Sequence, residues 1–439
     1  MASIEYKGLN RKGEAVFRIY IEGPKLADGN RNRKRETYKV PHPNKKIKLE
    51  QFEKNAMKQA EDYARDREKE INRPGYREPT KETFAQHVER WLKVHGETLA
   101  PKTLYRYKEL LDRILPYLGP LPVIEIQMEH IEDLYRALAK EPRQDRKEGT
   151  LSATTIQHHA RVLNTVLEYA VKRQLIPSNP AKYAKPEPPK KKDIQFFSET
   201  HIAKLTEILE EESLLNKVLV NLALSTGARA GELAALTWDD IDEEKRTVRI
   251  NKSAQYIPGQ GSFVKQTKTE SSKRTVTVSA SVIFLLKQLK GEWEAQKEEL
   301  GTKWIENSNS VFYGWNGAPV HPEYPSHWWH KFIQRAMFEV VKENYWSARH
   351  KRFISFEICK KTGIPQVSFH GLRHSCASLL LSKGQSPVAV AKRLGHSNTN
   401  VTLAVYAHTY QKDDQANADI MEKIINTPKE EAIKQKSQA

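Results

Sequence analysis

Cysteine and long apolar runs are what this chain has least of. Its 439 residues include only two cysteines, Cys359 and Cys376, too few for a disulfide framework or a zinc site built from cysteines. No apolar run approaches the roughly 20 residues that cross a bilayer, and residues 1–10 contain no signal-peptide core. These absences predict a cytoplasmic protein without a membrane span, in which both cysteines are packing residues.

Acidic residues are also scarce relative to basic ones. Lysine and arginine number 72 against 55 aspartates and glutamates, a formal net charge of +17. This excess favours a polyanionic partner, either nucleic acid or an anionic membrane surface, and does not by itself choose between them. At about 100 to 200 residues per domain, the length predicts about two to four domains.

The first stretch of the chain predicts a small sheet followed by a helix. Residues 16–21 alternate apolar and polar side chains, residues 35–40 have the pattern of a second strand, and residues 49–71 change to a helical period. The breaker Arg-Pro-Gly at 73–75 ends this region. We therefore predict a first domain over residues 1–75.

The next stretch has the periodicity of helices. Apolar residues recur at helical spacing over residues 84–92, 103–118, 128–139 and 152–172, and Ser152 stands in a capping position. We predict an all-α domain over residues 80–184. The prolines and lysines of residues 185–194 cannot bury a core and predict a linker.

The remaining residues mix helices and strands. Helices are predicted over residues 199–224 and 372–381, and strands over 247–255 and 274–278. We expect a mainly α domain with a small antiparallel sheet over residues 195–427, then a mobile polar tail over 428–439. The basic, aromatic stretch 338–366 is interpreted as a solvated helix-loop insertion, with an extra DNA contact as the alternative. The whole chain is predicted to be a multidomain α+β protein.

Three blocks in the last domain carry the residues of interest. The first is Thr-Gly-Ala-Arg-Ala-Gly-Glu-Leu at 226–233, followed by Leu-Thr-Trp-Asp-Asp-Ile at 236–241. The second is Lys-Thr-Glu-Ser-Ser-Lys-Arg at 268–274, between two candidate strands. The third joins Phe-His-Gly-Leu-Arg-His-Ser at 369–375, Leu-Gly-His-Ser at 394–397 and Tyr-Ala-His at 406–408. In order and spacing the three blocks closely resemble the tyrosine recombinase, or phage integrase, family.

This resemblance implies how a phosphodiester would be bound and attacked. Arg229 and Arg373 would donate to its nonbridging oxygens, since a planar guanidinium offers a fork of donors where negative charge develops. Tyr406 would attack phosphorus and conserve the bond energy in a 3′-phosphotyrosyl link. Taken alone, a tyrosine at this position is more often a half-buried core residue. The resemblance implies no cofactor and no metal.

The resemblance assigns the proton transfers to three further residues. Lys268 would be the general acid for the departing 5′-oxygen, although a Lys-Thr pair alone is usually a solvated turn. His370 would help to move the tyrosine proton, and His396 would donate a hydrogen bond to the phosphate. For Glu232 two alternatives stay open, an ion pair that orients Arg229 or an ordinary solvated carboxylate.

A metal site is the alternative for two of the histidines. His370 and His374 are four residues apart, as zinc-binding histidines are on a helix. However, Gly371 stands where the metalloprotease motif has glutamate. We therefore expect no metal at this position.

The resemblance also implies partners. It predicts double-stranded DNA bound at core and arm attachment sites, by residues 80–184 and 1–75 respectively, and a homotetramer assembled on that DNA. An excisionase and a host DNA-bending protein are the accessory partners it suggests. The expected function is integration or excision of a phage or conjugative element through a Holliday junction. The alternatives are a type IB topoisomerase and a noncatalytic DNA-binding protein on the same scaffold.

Overall fold

The computed structural model describes residues 2–23, 33–42, 48–72, 81–143, 148–190, 195–266, 272–347 and 352–396, together with 418, 419, 421, 422 and 425. For the parts of 339–359 that it covers, only the backbone is described. The chain divides into two units, Met1–Pro189 and Lys190–Ala439.

The first unit begins with three strands and a helix, β1 (Ser3–Leu9), β2 (Ala15–Glu22), β3 (Arg33–Val40) and α1 (Leu49–Ile71). The strands form an antiparallel sheet with β2 in the centre. Every second residue of β2 from Ala15 to Ile21 is buried, and these side chains pack in one cluster with Phe52 and the alanines of α1. The predicted strands and helix are confirmed here. The sequence did not predict β1, because its side chains are mostly exposed and do not alternate clearly between buried and exposed.

Four helices follow in the first unit, α2 (Phe84–His95), α3 (Pro101–Leu118), α4 (Met128–Leu138) and α5 (Ala153–Lys172). Their apolar faces form a second, separate hydrophobic cluster. Thr83 and Gln86 make a capping box at the start of α2, and the Ser152 side chain accepts from the Thr155 backbone N–H at the start of α5. The predicted all-helical character of this region is confirmed.

The second unit has seven named α-helices and seven strands within the described residues. They are α6 (Glu199–Leu209), α7 (Leu214–Thr226), α8 (Ala230–Ala234), β4 (Ile241–Asp242), β5 (Thr247–Ile250), β6 (Lys252–Ile257), β7 (Gly261–Gln266), β8 (Arg274–Thr277), α9 (Ala280–Leu300), α10 (Tyr324–Ala336), β9 (Phe338–Ser347), β10 (Arg352–Lys361), α11 (Phe369–Ser382) and α12 (Pro387–Leu394). Helix α7 contacts α9 and α11 and contributes several residues to the main core. One small antiparallel sheet has the order β4-β5-β8, and β6 pairs with β7.

Three sequence expectations need correction in this unit. Residues 199–224 form two helices, α6 and α7, because Ser213 starts a new helix after a short turn. Residues 247–255 form parts of two strands, β5 and β6, which belong to different sheets. Residues 338–366 are not a helix-loop insertion, since β9 and β10 pair as an antiparallel hairpin. Both strands are rich in the β-branched and aromatic residues that favour extended backbone.

Several expectations fall outside the described residues. These include Lys268, Tyr406, residues 191–194 of the predicted linker and the tail 428–439. Residues 185–190 have no regular secondary structure. Among the helices that are described, none is both long enough and apolar enough to pass through a bilayer.

Candidate active site

The first sequence block lies where α7 ends and α8 begins. Gly227 closes α7 with left-handed backbone, at a φ of +62°, and Arg229 then stands at the N-cap of α8. A methyl group on Gly227 would lie 2.2 Å from Cδ2 of Leu394 on α12. Both the turn and the close approach of α12 therefore require glycine at this position.

The Glu232 carboxylate connects two arginines. It accepts hydrogen bonds from the Arg229 backbone N–H at 3.0 Å and from Arg229 Nη1 at 2.8 Å. Nη2 of Arg274, the first residue of β8, donates to it at 2.8 Å. Burial alone raises the pKa of Glu232, but the charges and hydrogen bonds of Arg274 and Arg229 outweigh burial and hold that pKa below its usual value. Of the two alternatives for Glu232, the ion pair is the one present.

Arg373, from the third block, is the most buried of the arginines here, with 3% of its surface exposed. Its Nη1 donates to the Gly227 carbonyl oxygen at 2.7 Å. Its Nη2 is buried and meets no hydrogen-bond acceptor within the described part of the chain. Burial, followed by the positive charges of Arg229 and Arg274, lowers the pKa of Arg373 to about 10, so the side chain stays charged at neutral pH.

These contacts create a local excess of positive charge. The charges of Arg229 and Arg274 both act on Arg373, and within the described residues all three arginines interact with the carboxylate of Glu232. Arg274 and Glu232 are buried, whereas 43% of the Arg229 side chain remains exposed. A buried guanidinium without a full set of acceptors is unfavourable unless a ligand supplies them. An oxyanion such as a phosphodiester has the charge and the acceptors that this cluster lacks.

Three histidines lie beside the arginines. The rings of His370 and His374, one turn apart on α11, meet edge to face with centroids 5.0 Å apart. Desolvation, then the charges of His374, Arg373 and Arg229, lowers the pKa of His370 to about 4. Desolvation, then Arg373 and Arg229, lowers the pKa of His396 to about 4 as well. Both imidazoles are therefore neutral at physiological pH, although the His370 ring retains contact with solvent.

Hydrogen bonds from Arg393 hold the C-terminal end of α12 in place next to this cluster, and His396 follows that end. Arg393 donates from Nε and Nη2 to the Ser225 carbonyl oxygen, at 3.0 and 2.6 Å, and from Nη2 to the Thr277 carbonyl oxygen at 3.0 Å. Gly395 ends α12 in the left-handed conformation, and His396 follows directly. The three carbonyl contacts fix the end of α12 against α7 and β8, since a guanidinium fork constrains orientation as well as distance.

Four of the six sequence-predicted site residues fall among the described residues. Arg229, His370, Arg373 and His396 come together in the second unit, as their mutual electrostatic effects show. Lys268 and Tyr406 lie outside the described residues. Lys268 belongs to the segment that joins β7 to β8, the strand that begins with Arg274.

Sequence reasoning missed two residues that support the site, Arg274 and Arg393. Arg274 closes the second sequence block, but only its contact with Glu232 gives it a role. Arg393 precedes the Leu-Gly-His block and donates to the backbone carbonyls of Ser225 and Thr277, and no side-chain pattern encodes contacts to a backbone. As for metals, the described residues contain no group of three or more histidine, cysteine, aspartate or glutamate side chains placed to hold an ion.

Two family models match the chain. The model described as the phage integrase family matches residues 195–413, and the model of the phage integrase N-terminal SAM-like domain matches residues 83–139. The first match includes the whole arginine and histidine cluster, and the second covers α2 to α4. Together the two matches cover more than half of the chain.

The chain is also similar in sequence to known integrases and recombinases. The ICEBs1 integrase of Bacillus subtilis is 26% identical over 279 residues, which are 63% of this chain and 68% of the relative. A XerC-like tyrosine recombinase of Caldanaerobacter subterraneus is 30% identical over 275 residues, 60% of this chain and 64% of the relative. The aligned part of this chain thus spans about two thirds of each relative's length.

Solved structures share the fold. The Tn1549 transposon integrase in complex with a circular intermediate DNA superposes with a TM-score of 0.60 at 18% identity, over 77% of this chain and 99% of that one. A lambda integrase tetramer bound to a Holliday junction superposes with a TM-score of 0.50 at 15% identity, over 90% and 96%. The chain belongs to the phage integrase family and is a site-specific tyrosine recombinase.

Proposed function

We propose that this recombinase is an integrase that holds a DNA phosphodiester on Arg229 and Arg373 and cleaves it through a covalent link to Tyr406. The observation that carries the proposal is the buried Nη2 of Arg373, which has no hydrogen-bond partner among the described residues. It lies in a cluster where, in that same part of the chain, three arginines interact with the carboxylate of Glu232. A phosphodiester brings a negative charge and two nonbridging oxygens, so it supplies both the acceptor and the counter-charge. More negative charge collects on those oxygens in the transition state, where the arginines stabilise it further.

The proposed reaction balances without an external energy source. The Tyr406 Oη attacks phosphorus and forms the phosphotyrosyl bond while the bond to the 5′-oxygen breaks. The tyrosine proton passes to His370, whose imidazole is neutral at physiological pH. Lys268 gives a proton to the departing 5′-oxygen, and His396 donates a hydrogen bond to the phosphate. A 5′-hydroxyl from another strand reverses these steps and rejoins the DNA.

The arginine cluster supplies the electrostatic stabilisation that metal ions supply in other phosphoryl-transfer sites. We therefore expect strand cleavage to persist in excess EDTA. A strict requirement of the cleavage step for magnesium would contradict this mechanism.

The assembly we propose follows the domain order. Residues 1–75 bind arm sites, residues 80–184 bind the core site, residues 185–194 form a linker, and residues 195–427 cut. Four copies act together on a Holliday junction, which is supported by the tetramer reported for the lambda integrase of similar fold. An excisionase and a host DNA-bending protein set the direction, and the protein works in the cytoplasm of a prokaryotic host on DNA of a phage or conjugative element.

The decisive experiment traps the covalent intermediate. Wild-type protein on a nicked suicide substrate, carrying the attachment site read from DNA flanking the gene, should give an SDS-resistant protein-DNA adduct. Tyr406→Phe should bind the same DNA and give no adduct, whereas Tyr410→Phe, a matched control four residues away, should react normally. An adduct with Tyr406→Phe would move the nucleophile elsewhere. Plasmid relaxation without strand exchange by the wild type would favour a topoisomerase, and the absence of any adduct would favour a noncatalytic DNA-binding protein.

A further inference from the structure

Gly231 is the second residue of α8 and lies two residues after Arg229. Inside a helix glycine is less favourable than alanine, because its backbone loses more conformational freedom on folding. The backbone of Gly231 is not left-handed, so the conformation of α8 does not by itself require glycine. What requires glycine at this position is the strand that packs on α8.

Strand β6 passes too close to Gly231 for a side chain to fit between them. A Cβ at this position would lie 2.7 Å from the Ala254 carbonyl oxygen and 2.8 Å from the Ser253 Oγ. Heavy atoms in favourable nonbonded contact are normally about 3.5 to 4 Å apart. The nearer of the two atoms belongs to the backbone of β6, so no side-chain rotation could move it away. Glycine therefore allows β6 to approach the helix that follows Arg229.

The hairpin of β6 and β7 connects this contact to the segment that contains Lys268. Ser253 is opposite Lys265 in the antiparallel register, so the contact with Gly231 lies beside the last residues of β7. Strand β7 ends at Gln266, two residues before Lys268. Two residues span at most about 7 Å. A displacement of this end of β7 therefore displaces the point from which Lys268 extends.

Lys252 fixes the start of β6. Its Nζ lies 2.8 Å from Asp240 Oδ2 and donates to the Thr237 Oγ1 at 2.8 Å. Lys252 is opposite Gln266, which makes this the last pair of the hairpin before Lys268. The lysine anchor and the glycine contact thus lie next to each other, at the end of the hairpin that leads to the general acid of the proposed reaction.

Helix α8 is held more firmly than the hairpin. The Glu232 carboxylate accepts hydrogen bonds from Arg229 and Arg274, and Leu233 is buried in the main core. All six residues of β7, in contrast, are exposed or half-buried. A two-stranded hairpin is also only marginally stable by itself. A methyl group on Gly231 would therefore displace the hairpin and leave α8 in place.

We infer that Gly231 is a positioning residue for proton transfer to the departing 5′-oxygen. Because it has no side chain, the hairpin lies close enough to Arg229 for Lys268 to reach the phosphodiester that this arginine holds. This role rests on the proposed function, in which Lys268 is the general acid. Arg229 keeps its hydrogen bonds to Glu232 when the hairpin moves, so the glycine acts on proton transfer and not on phosphate binding.

Single-turnover cleavage of two substrates by the full chain tests this role. One substrate is the ordinary phosphodiester, and the other has sulfur at the 5′-bridging position and leaves without a proton. Gly231→Ala should cleave the ordinary substrate roughly 10- to 100-fold more slowly, since a misplacement of about 1 Å can cost 10²-fold. It should cleave the sulfur substrate at nearly the wild-type rate and bind DNA as the wild type does.

Gly291→Ala is the matched control. Gly291 also lies in a helix, α9, but no atom of the described residues lies within 4 Å of the place of its Cβ. Alanine favours the helix there and should change the rate on neither substrate. Equal slowing of Gly231→Ala on both substrates would show that Arg229 had been displaced, and would overturn the proposal. A wild-type rate on both substrates would overturn it too.

Lys252→Gln displaces the same hairpin without adding atoms to α8, and it decides the matter if Gly231→Ala does not fold. Asp240 keeps hydrogen bonds from Arg249 and from the N–H and hydroxyl of Thr237, so the fold should survive the loss of the amine. Slower cleavage of the ordinary substrate alone supports the proposal. An equal loss on both substrates, or no loss on either, overturns it.

Lys268→Ala, assayed in parallel, separates this role from the proposed function. If sulfur restores cleavage by Lys268→Ala but not by Gly231→Ala, only the role of Gly231 is refuted. If sulfur does not restore cleavage by Lys268→Ala, the assignment of the general acid fails and the role of Gly231 with it. The double variant should be no slower on the ordinary substrate than Lys268→Ala, because both changes affect one proton transfer. Losses that multiply would show that Gly231 acts elsewhere, against the proposal.

Discussion

Nη1 of Arg373 donates a hydrogen bond to the Gly227 carbonyl oxygen at 2.7 Å, which joins α11 to the end of α7 across 146 residues of sequence. Leu394 of α12 lies against the Cα of the same glycine. Ser225, two residues earlier, accepts from Arg393. The last turn of α7 thus holds both the arginine of α11 and the helix that leads to His396, so a change in this turn displaces both.

Gly227→Ala should destabilise the protein and slow cleavage. The alanine would need left-handed backbone and its Cβ would overlap Leu394, so the free energy of unfolding should fall by about 2 to 4 kcal/mol. Gly384→Ala is the control, since Gly384 has a φ of +78° but nothing lies within 4 Å of the place its methyl group would occupy. Denaturant unfolding and the rate of adduct formation measure both effects. Equal losses in the two variants would show that the contact with Leu394 is unimportant.

Glu232→Gln should reduce the cleavage rate without reducing the DNA affinity. The amide keeps an acceptor but removes the negative charge shared by Arg229 and Arg274, which should destabilise the fold by roughly 3 kcal/mol. The DNA affinity should not fall, since the site becomes more positive. Single-turnover cleavage at saturating DNA separates the two quantities. Glu243→Gln, which removes a surface carboxylate near Lys287 and Lys290, should leave the rate unchanged. A wild-type rate in Glu232→Gln would refute its role in positioning Arg229.

Lys268→Ala should cleave an ordinary DNA substrate slowly, and a substrate with a better leaving group should restore its cleavage rate. Loss of a general acid typically costs about 10²- to 10⁴-fold in rate. A substrate with sulfur at the 5′-bridging position leaves without a proton, so it should restore cleavage by Lys268→Ala. Lys265→Ala, on the neighbouring strand β7, is the matched control and should behave as wild type on both substrates. Equal defects of Lys268→Ala on both substrates would transfer the role to Lys265 or Lys273.

Cleavage should persist to a lower pH than it would if His370 had the ordinary histidine pKa. His370 must be neutral to accept the tyrosine proton, and its pKa is lowered to about 4 from 6.5. Because solvent reaches part of the ring, we expect kcat/KM, which reports the free enzyme, to fall only between pH 6.5 and about 4. His370→Gln should have a lower rate without this acid limb. An acid limb that begins above pH 6.5 would contradict the assignment.

Residues 1–75 should bind DNA apart from the core site. Deleting them should impair integration between full attachment sites, because a protein that binds an arm site raises the local concentration of that DNA at the core site. Cleavage of a suicide substrate should stay largely intact. β1 to β3 and α1 have their own hydrophobic cluster, so the fragment has a core to fold around. Footprinting the fragment on full attachment-site DNA measures the contact directly. No protection outside the core at moderate salt would refute arm binding.

Local patterns predicted much of the fold. The alternation in β2 and the helical spacing in α2 to α5 each depend on neighbouring residues, and both are confirmed. The hairpin β9 and β10 was assigned wrongly, because its charged residues resembled a solvated helix and its strands are stabilised by pairing with each other. The break between β5 and β6 also depends on which strand each one pairs with, and the sequence does not encode that choice locally.

The sequence alone determined the family and the kind of chemistry, because the three blocks state which residue types occur and in what order. Only the tertiary structure decided how these residues support one another. Glu232 is a shared counter-ion because β8 brings Arg274 to it. Because α11 packs on the end of α7, Arg373 keeps a buried donor that meets no acceptor in the described part of the chain. Such long-range contacts follow from packing of the whole unit, so no local pattern of residues could have specified them.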